Sequence, residues 1–244
     1  MQYNANKSSQ QPAQAHRQKV QQVFKQAAPH YDLMNDAMTI GGHRILKKIL
    51  IDLSTIRSHH SVLDLAAGTC DLSLKIRPRL KQASLIAADP NMEMLLTGRN
   101  RLINAGWPDV PMVRATAESL PFANDSFNRI LIGFGLRNFS DKATAFKEIL
   151  RCLMPAGLVT VLELSQPTAP LGRKLYDAIS ETALPLLGRI MAGDTNSYRY
   201  LHESIRAHPS PEAISSMMDA AGLVQCRFLR IAGGIFCLHS GYKP

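Results

Sequence analysis

Two acids, each closing a short apolar run, are the residues of this chain best placed to do chemistry. Val62-Leu63-Asp64-Leu65 leads into Ala66-Ala67-Gly68-Thr69-Cys70-Asp71, and Leu85-Ile86-Ala87-Ala88 closes on Asp89. The first run reads as a buried parallel strand that stops at a nucleotide-binding turn. Small residues there let backbone N–H groups approach a ligand closely, and the helix start beyond adds a partial positive charge. A carboxylate ending the second strand, where Asp89 stands, is placed to accept hydrogen bonds from both hydroxyls of a bound ribose. Absent features narrow the nucleoside. Ala66, Gly68 and Cys70 hold the small positions, but no third glycine opens the helix, and no Lys-Ser or Lys-Thr pair is present, which excludes a P-loop. Asp64 would repel a pyrophosphate and suits a cationic ligand bearing an amino acid. The turn therefore points to S-adenosylmethionine rather than NAD. An α/β protein whose strand ends happen to be acidic is the plainer alternative.

The elements that must hold these residues alternate along the chain. The apolar periodicity predicts helices over 17–27 and 43–53, strands near 62 and 84, and a helix from Met92 to Asn104. A short third strand follows at Pro111 to Arg114, then a turn at Glu118-Ser119-Leu120-Pro121-Phe122, a fourth apolar run from Asn128 to Phe134, and an amphipathic helix from Asp141 to Leu153. Pro155-Ala156-Gly157 breaks that helix before a buried fifth strand, Leu158 to Leu164. Strands and helices alternating in this way make a mostly parallel, doubly wound sheet. After a last helix, Pro211 to Ala221, the runs Val224 to Ile231 and Ile235 to Ser240 are joined by Ala232-Gly233-Gly234 and read as an antiparallel hairpin. Residues 166–209 form an insertion rich in aliphatic residues, with Tyr176, Met191, Tyr198 and Tyr200, placed to roof a ligand crevice.

Composition fits one domain, residues 17–244, behind a polar, flexible tail at 1–16. At 244 residues and 45% apolar content the chain can bury a substantial core. No apolar run reaches the roughly 20 residues needed to span a bilayer, and the tail has no apolar segment of the signal-peptide kind. Cys70, Cys152, Cys226 and Cys237 are far apart, without metal-ligand spacing or the density of a disulfide scaffold, which favours a reducing cytoplasm. The net charge of +9 is spread along the chain with no basic stripe interleaved with aromatics. A solvated surface is the first reading of that charge, attraction to an anionic membrane surface the second, and nucleic acid the last.

Several segments resemble a known family: Tyr31-Asp32-Leu33-Met34-Asn35-Asp36, the turn at 62–71, Phe134-Gly135-Leu136-Arg137-Asn138, Leu162-Glu163-Leu164-Ser165, and Ser197-Tyr198-Arg199-Tyr200-Leu201 with Ser204-Ile205-Arg206 and His208-Pro209. From about residue 20 to its end the chain is similar to the ubiquinone/menaquinone biosynthesis C-methyltransferases. The resemblance implies a class I S-adenosylmethionine-dependent methyltransferase with a Rossmann-like, mostly parallel seven-stranded sheet and a helical lid. It also implies transfer of a methyl group to a ring carbon of a polyprenylated benzoquinol or naphthoquinol. Cofactor contacts are then expected at Thr69 in the turn, at Asp89 with Pro90 on the ribose, at Thr116 and Ala117 near the adenine, and at Gly133. The chain departs from the family pattern at Cys70 (usually Gly), Thr116 (usually Asn), Gly133 (usually Ser), Leu46 (usually Trp), Met154 and Ala156. A Cβ at position 70 costs roughly 1 kcal/mol if the residue needs a positive φ, and would push on the ligand; if only a small side chain is needed, cysteine is tolerated.

Methylating an aromatic carbon requires an electron-rich ring, best supplied by an ortho phenolate, and loss of the ring proton afterwards. Arg137 and Asn138, just past the fourth strand, are the candidates at the crevice mouth. Arginine stays protonated, so its role is to stabilise the phenolate or activate a water. Tyr31 and Asp32 are expected on the opposite side. The competing structural roles are an Arg137–carboxylate pair, an Asn138 helix cap, a core Tyr31 and an Asp32 in a turn. His43, His202 and His208 have no metal-ligand spacing and are given structural or substrate-orienting roles. Tyr198, Tyr200 and Arg206 are expected to pack the lid or touch the quinol head. The expected partners are a lipophilic quinol, the inner face of the cytoplasmic membrane as a peripheral surface, and a second copy or other quinone-pathway enzymes. A regulatory paralogue without activity, and a methyltransferase acting on another small molecule or on RNA, remain the alternatives.

Overall fold

The computed structural model describes residues 42–80, 84–167 and 195–244. The expected helix at 17–27, most of the insertion, Tyr31 and Asp32 lie outside them. Helix α1 (His43–Leu53) precedes strand β1 (Val62–Leu65); α2 (Asp71–Ile76) leads to β2 (Leu85–Asp89), α3 (Met92–Asn104) and β3 (Met112–Arg114). Then come β4 (Phe127–Gly133), α4 (Lys142–Cys152), β5 (Leu153–Leu164), α5 (Thr195–Ala207), α6 (Pro211–Ala220), β6 (Val224–Ile231) and β7 (Phe236–Tyr242). The seven strands form one sheet in the order β3-β2-β1-β4-β5-β7-β6. The first five are parallel; β7 lies antiparallel between β5 and β6, so the expected hairpin enters the sheet with its second strand inward.

Helices cover both faces, which is why β1 and the second half of β5 are buried at every position rather than at alternate ones, Asp64, Thr160 and Glu163 included. On one face Phe146 and Ile149 of α4 and Ile214 and Met218 of α6 pack against Leu63, Ile130 and Val159. On the other, Leu50 of α1, Leu72 of α2 and Leu102 of α3 pack against Val62, Leu131 and Leu162. Helix starts are set by side chains that accept orphan backbone N–H groups: Asn91 from Met94, Asp141 from Thr144 and Ser210 from Ala213. Asp141, not Asn138, therefore caps α4.

The chain departs from the sequence reading at the start of β5. Pro155-Ala156-Gly157 do not separate helix from strand; the strand begins at Leu153, which pairs with Phe127 before a register shift brings Leu158 beside Arg129. The irregular backbone there is held to the C-terminus, Ala156 N–H donating to the Lys243 carbonyl and Lys243 N–H to the Gly157 carbonyl.

Sheet order reverses at β1, with β2 on one side and β4 on the other, and this opens a crevice beyond the carboxyl ends of the strands. The turn leaving β1 is tight: Ala66 (φ 58°), Gly68 (φ 54°) and Cys70 (φ 61°) are all left-handed. Cys70 therefore carries the strain anticipated for a side chain at that position, but its Sγ turns away from the crevice into the core beside α3. Gly98 makes the room, since a Cβ there would stand 2.4 Å from Cys70 Sγ. Gly98→Ala should lower stability by about 1–3 kcal/mol through overpacking. Adding Cys70→Gly should restore much of that loss in urea unfolding, because the partner atom is then gone.

Candidate active site

A cleft of about 770 Å3, counting its open mouth, lies where the turns after β1, β2 and β4 meet. The structure brings seven of the expected residues to its lining: Ala66, Gly68, Asp89, Pro90, Thr116, Ala117 and Asn138. Sequence reasoning missed Met94 and Ala115 as lining residues, although Met94 lies within the expected helix Met92 to Asn104 and Ala115 directly follows the expected third strand. Phe134 and Gly135, quoted only as part of a motif, also reach the cleft. The two turns approach closely because Gly135 has no side chain; a Cβ there would stand 2.5 Å from that of Ala66.

Asp89 is the buried anion of the cleft. Its Oδ2 accepts the Gly68 N–H at 2.9 Å and its Oδ1 the Asn91 N–H at 2.8 Å. One carboxylate thus ties the β1 turn to the β2 turn, and each oxygen keeps acceptor capacity for a ligand hydroxyl. Burial pushes its carboxyl up to about 6 against two backbone hydrogen bonds that lower it. Beside it Ala115, Thr116, Ala117, Leu65 and Met94 make a mostly apolar stretch of the lining. A buried carboxylate with spare acceptors next to an apolar stretch fits the adenosine part of S-adenosylmethionine. Glu118 closes this side, its Oε1 accepting the N–H groups of Ser140 at 2.8 Å and Asp141 at 3.2 Å across the cleft.

Four expected contacts stand behind the lining rather than in it. Asp64 is 1% exposed and turns toward α2, its Oδ2 accepting the Ser73 N–H at 2.9 Å and hydroxyl at 2.6 Å, while burial raises its carboxyl to about 6. Thr69 Oγ1 accepts from Arg101 at 2.8 Å. Gly133 is small because Leu72 presses on it; a Cβ would stand 2.8 Å from Leu72 Cδ1. Arg137 turns into the protein. Its Nη1 donates to Glu163 Oε1 at 2.7 Å and to the Phe134 carbonyl at 2.5 Å, while its backbone N–H donates to Glu163 Oε2 at 3.0 Å. The carboxylate pairing weighed as its structural role is the one the structure adopts, with both side chains at most 2% exposed. Burial drives the Glu163 carboxyl up, but the Arg137 charge and two backbone N–H groups outweigh it and hold it below the ordinary range.

With Arg137 latched, its neighbour Asn138 faces the cleft, and Asn138 Oδ1 accepts the Tyr200 hydroxyl at 2.9 Å. His208 is half-buried outside the lining, and partial removal from water lowers it to about 4, so it is neutral at physiological pH. Burial also pushes the Cys70 thiol far up, which makes it a packing group and not a nucleophile.

Among the described residues no helix is long and apolar enough to cross a membrane. The chain matches the model of the ubiE/COQ5 methyltransferase family over residues 12–243. It is 46% identical over 226 residues to the ubiquinone/menaquinone biosynthesis C-methyltransferase UbiE of Hahella chejuensis, covering 92% of this chain and 91% of that one. To the UbiE of Coxiella burnetii it is 45% identical over 228 residues, with the same coverage of 92% and 91%. Among solved structures, the SAM-dependent methyltransferase of Thermotoga maritima superposes with a TM-score of 0.60 at 17% identity, covering 91% of this chain and 100% of that one.

Asp89 sets a pH dependence whose sign follows from its raised value. Relative to the ordinary 3.8, the protonated form is favoured by folding, so its contribution to stability is present below about pH 4 and lost as pH rises through about 6. Ligand hydroxyls donate to the charged form, so affinity runs the other way. Calorimetric titration with S-adenosylhomocysteine should show roughly 10-fold weaker binding at pH 5 than at pH 7, and Asp89→Asn should bind weakly at both. Glu163→Ala, which strands a buried guanidinium, should cost about 3–5 kcal/mol in chemical unfolding. The sheet topology, the Asp89 cleft and the match over nearly the whole chain place this protein in the ubiE/COQ5 methyltransferase family.

Proposed function

We propose that this protein methylates a ring carbon of a polyprenylated benzoquinol or naphthoquinol, using S-adenosylmethionine, in ubiquinone or menaquinone biosynthesis. The observation that carries the reading is the placement of Asn138 on the same cleft as Asp89, in a chain whose relatives bear that activity in their names. Asp89 binds the ribose hydroxyls, Ala115 to Ala117 bound the adenine, and the left-handed turn at 66–70 offers backbone to the amino-acid end. When bound there, S-adenosylmethionine supplies an electrophilic methyl group on a cationic sulfur that leaves as a neutral thioether.

The protein's part is to make the ring carbon nucleophilic. A phenol beside the reacting carbon must lose its proton, and the resulting charge must be held where water is scarce. Asn138 has an amide that hydrogen-bonds such an oxygen without adding charge. Arg137 lies one residue away and behind the wall, its charge neutralised by Glu163, so its share is to fix the Phe134–Asn138 turn. The ring carbon then gains the methyl and gives its proton to water, restoring aromaticity. Tyr31 is assigned to the far side of the ring by family resemblance.

Cys70, the departure in the altered cofactor turn that would favour an inactive paralogue, packs its Sγ against Gly98 rather than entering the cleft. A polyprenyl tail keeps the substrate at a membrane, so we assign the protein to the membrane surface as a peripheral enzyme, its net charge of +9 favouring anionic headgroups. The purified protein should transfer methyl from S-adenosylmethionine to demethylated quinols presented in vesicles, measured by mass spectrometry of the extracted lipid. Asn138→Ala should lower kcat by about 100-fold or more while leaving S-adenosylhomocysteine affinity unchanged. An inactive wild type that binds cofactor would overturn the assignment.

A further inference from the structure

The turn that carries Asn138 is fixed from behind by Glu163, but nothing in that clamp determines which end of the Asn138 amide faces the cleft. That choice belongs to Tyr200, on the second turn of α5, whose hydroxyl lies 2.9 Å from Asn138 Oδ1. Tyr200 is 7% exposed, and burial holds its phenol above the ordinary value, so it is protonated at neutral pH and its hydroxyl has a proton to give. An amide oxygen only accepts, so a hydroxyl donating to it settles the orientation: Oδ1 toward Tyr200 and the NH2 group away from it. Among the described residues the Asn138 NH2 group has no hydrogen-bond partner, while Asn138 itself lines the cleft.

We propose that Tyr200 is a positioning residue for methyl transfer: by donating to Asn138 Oδ1 it directs the two amide N–H donors toward the phenolate oxygen of the substrate. The inference rests on the quinol methyltransferase reading. It makes α5, which lies in the last part of the insertion, part of the machinery that sets substrate charge. The same helix is docked nearly two turns further on by Gln166, just past the end of β5, whose Nε2 donates to the Arg206 carbonyl at 3.2 Å. An amide flip that offered an oxygen to the phenolate would have to exchange the Tyr200 O–H···O bond for an N–H···O bond and turn the hydroxyl proton away from Asn138.

The test is steady-state kinetics of Tyr200→Phe on a demethylated quinol in vesicles across pH, beside Asn138→Ala and the double variant. Tyr200→Phe keeps the ring and its packing, so S-adenosylhomocysteine affinity should match wild type and the thermal midpoint should fall by only about 2–4 °C, the effect of one lost hydrogen bond. Its kcat should fall about 10-fold with little change in KM, and the acid limb of the kcat profile should move up by about one pH unit, because the phenolate loses oriented donors. In the Asn138→Ala background Tyr200→Phe should have no further effect. A wild-type kcat and pH profile for Tyr200→Phe, or an equal loss in both backgrounds, overturns the inference and leaves the functional reading standing. An inactive wild type overturns both. If Tyr200→Phe does not fold, Tyr200→Met is read in the same cycle: a kcat loss and acid-limb shift that vanish in the Asn138→Ala background support the inference, and an equal loss in both backgrounds overturns it.

Discussion

A ligand cleft made from strand ends needs irregular backbone, and irregular backbone leaves N–H groups that must be satisfied where water is scarce. In this protein carboxylates meet that constraint. Asp64 takes the Ser73 N–H, Asp89 those of Gly68 and Asn91, Glu163 those of Arg137 and Leu164, and Glu118 those of Ser140 and Asp141. Each acid joins a segment near a strand end to a turn or helix start, and together they pin the three walls of the cleft to the sheet. Only Asp89 and Glu118 also line the cleft. The acids at the strand ends are thus first a framework, and one of them doubles as a ligand group.

That double use separates groups that look equivalent in the sequence. Asp64 and Asp89 both close apolar runs and both are pushed up to about 6 by burial, yet Asp64 is spent on α2 and Asp89 is shared with the cleft. Arg137 and Asn138 are adjacent, and they divide the work similarly. The cation goes inward to pay for the buried charge of Glu163, and the neutral amide goes outward to the substrate. A guanidinium in the cleft would leave Glu163 buried without its cation, a cost of several kcal/mol.

The helices and strands were legible because their apolar periodicity and caps are local. α1 and α3 fall at the expected residues, and β2 ends at the expected acid, Asp89, while β1 runs one residue past Asp64 to Leu65. What was not legible depends on partners distant in the chain. Glu163 stands 26 residues from Arg137, and only its presence as a lone acid within a buried apolar strand signalled that a cation must find it. The start of β5 escaped because Pro155 and Gly157 are turn formers by type, and their backbone is held instead by Lys243. The inward placement of Thr69 and Gly133 depends on Arg101 and Leu72, contacts that no spacing rule encodes.

The contact between Cys70 and the bare backbone of Gly98 also orders the routes by which this sequence can drift. A chain with glycine at position 70 is free of the sulfur that fills the space above position 98, whereas a chain with cysteine there admits no side chain at 98 without displacing it. Substitutions at the two positions are therefore epistatic, and their order matters: loss of the thiol must precede growth at 98, since the reverse path crosses an overpacked intermediate. The unusual residue in the cofactor turn is best understood as half of a pair, with its history recorded on a neighbouring helix.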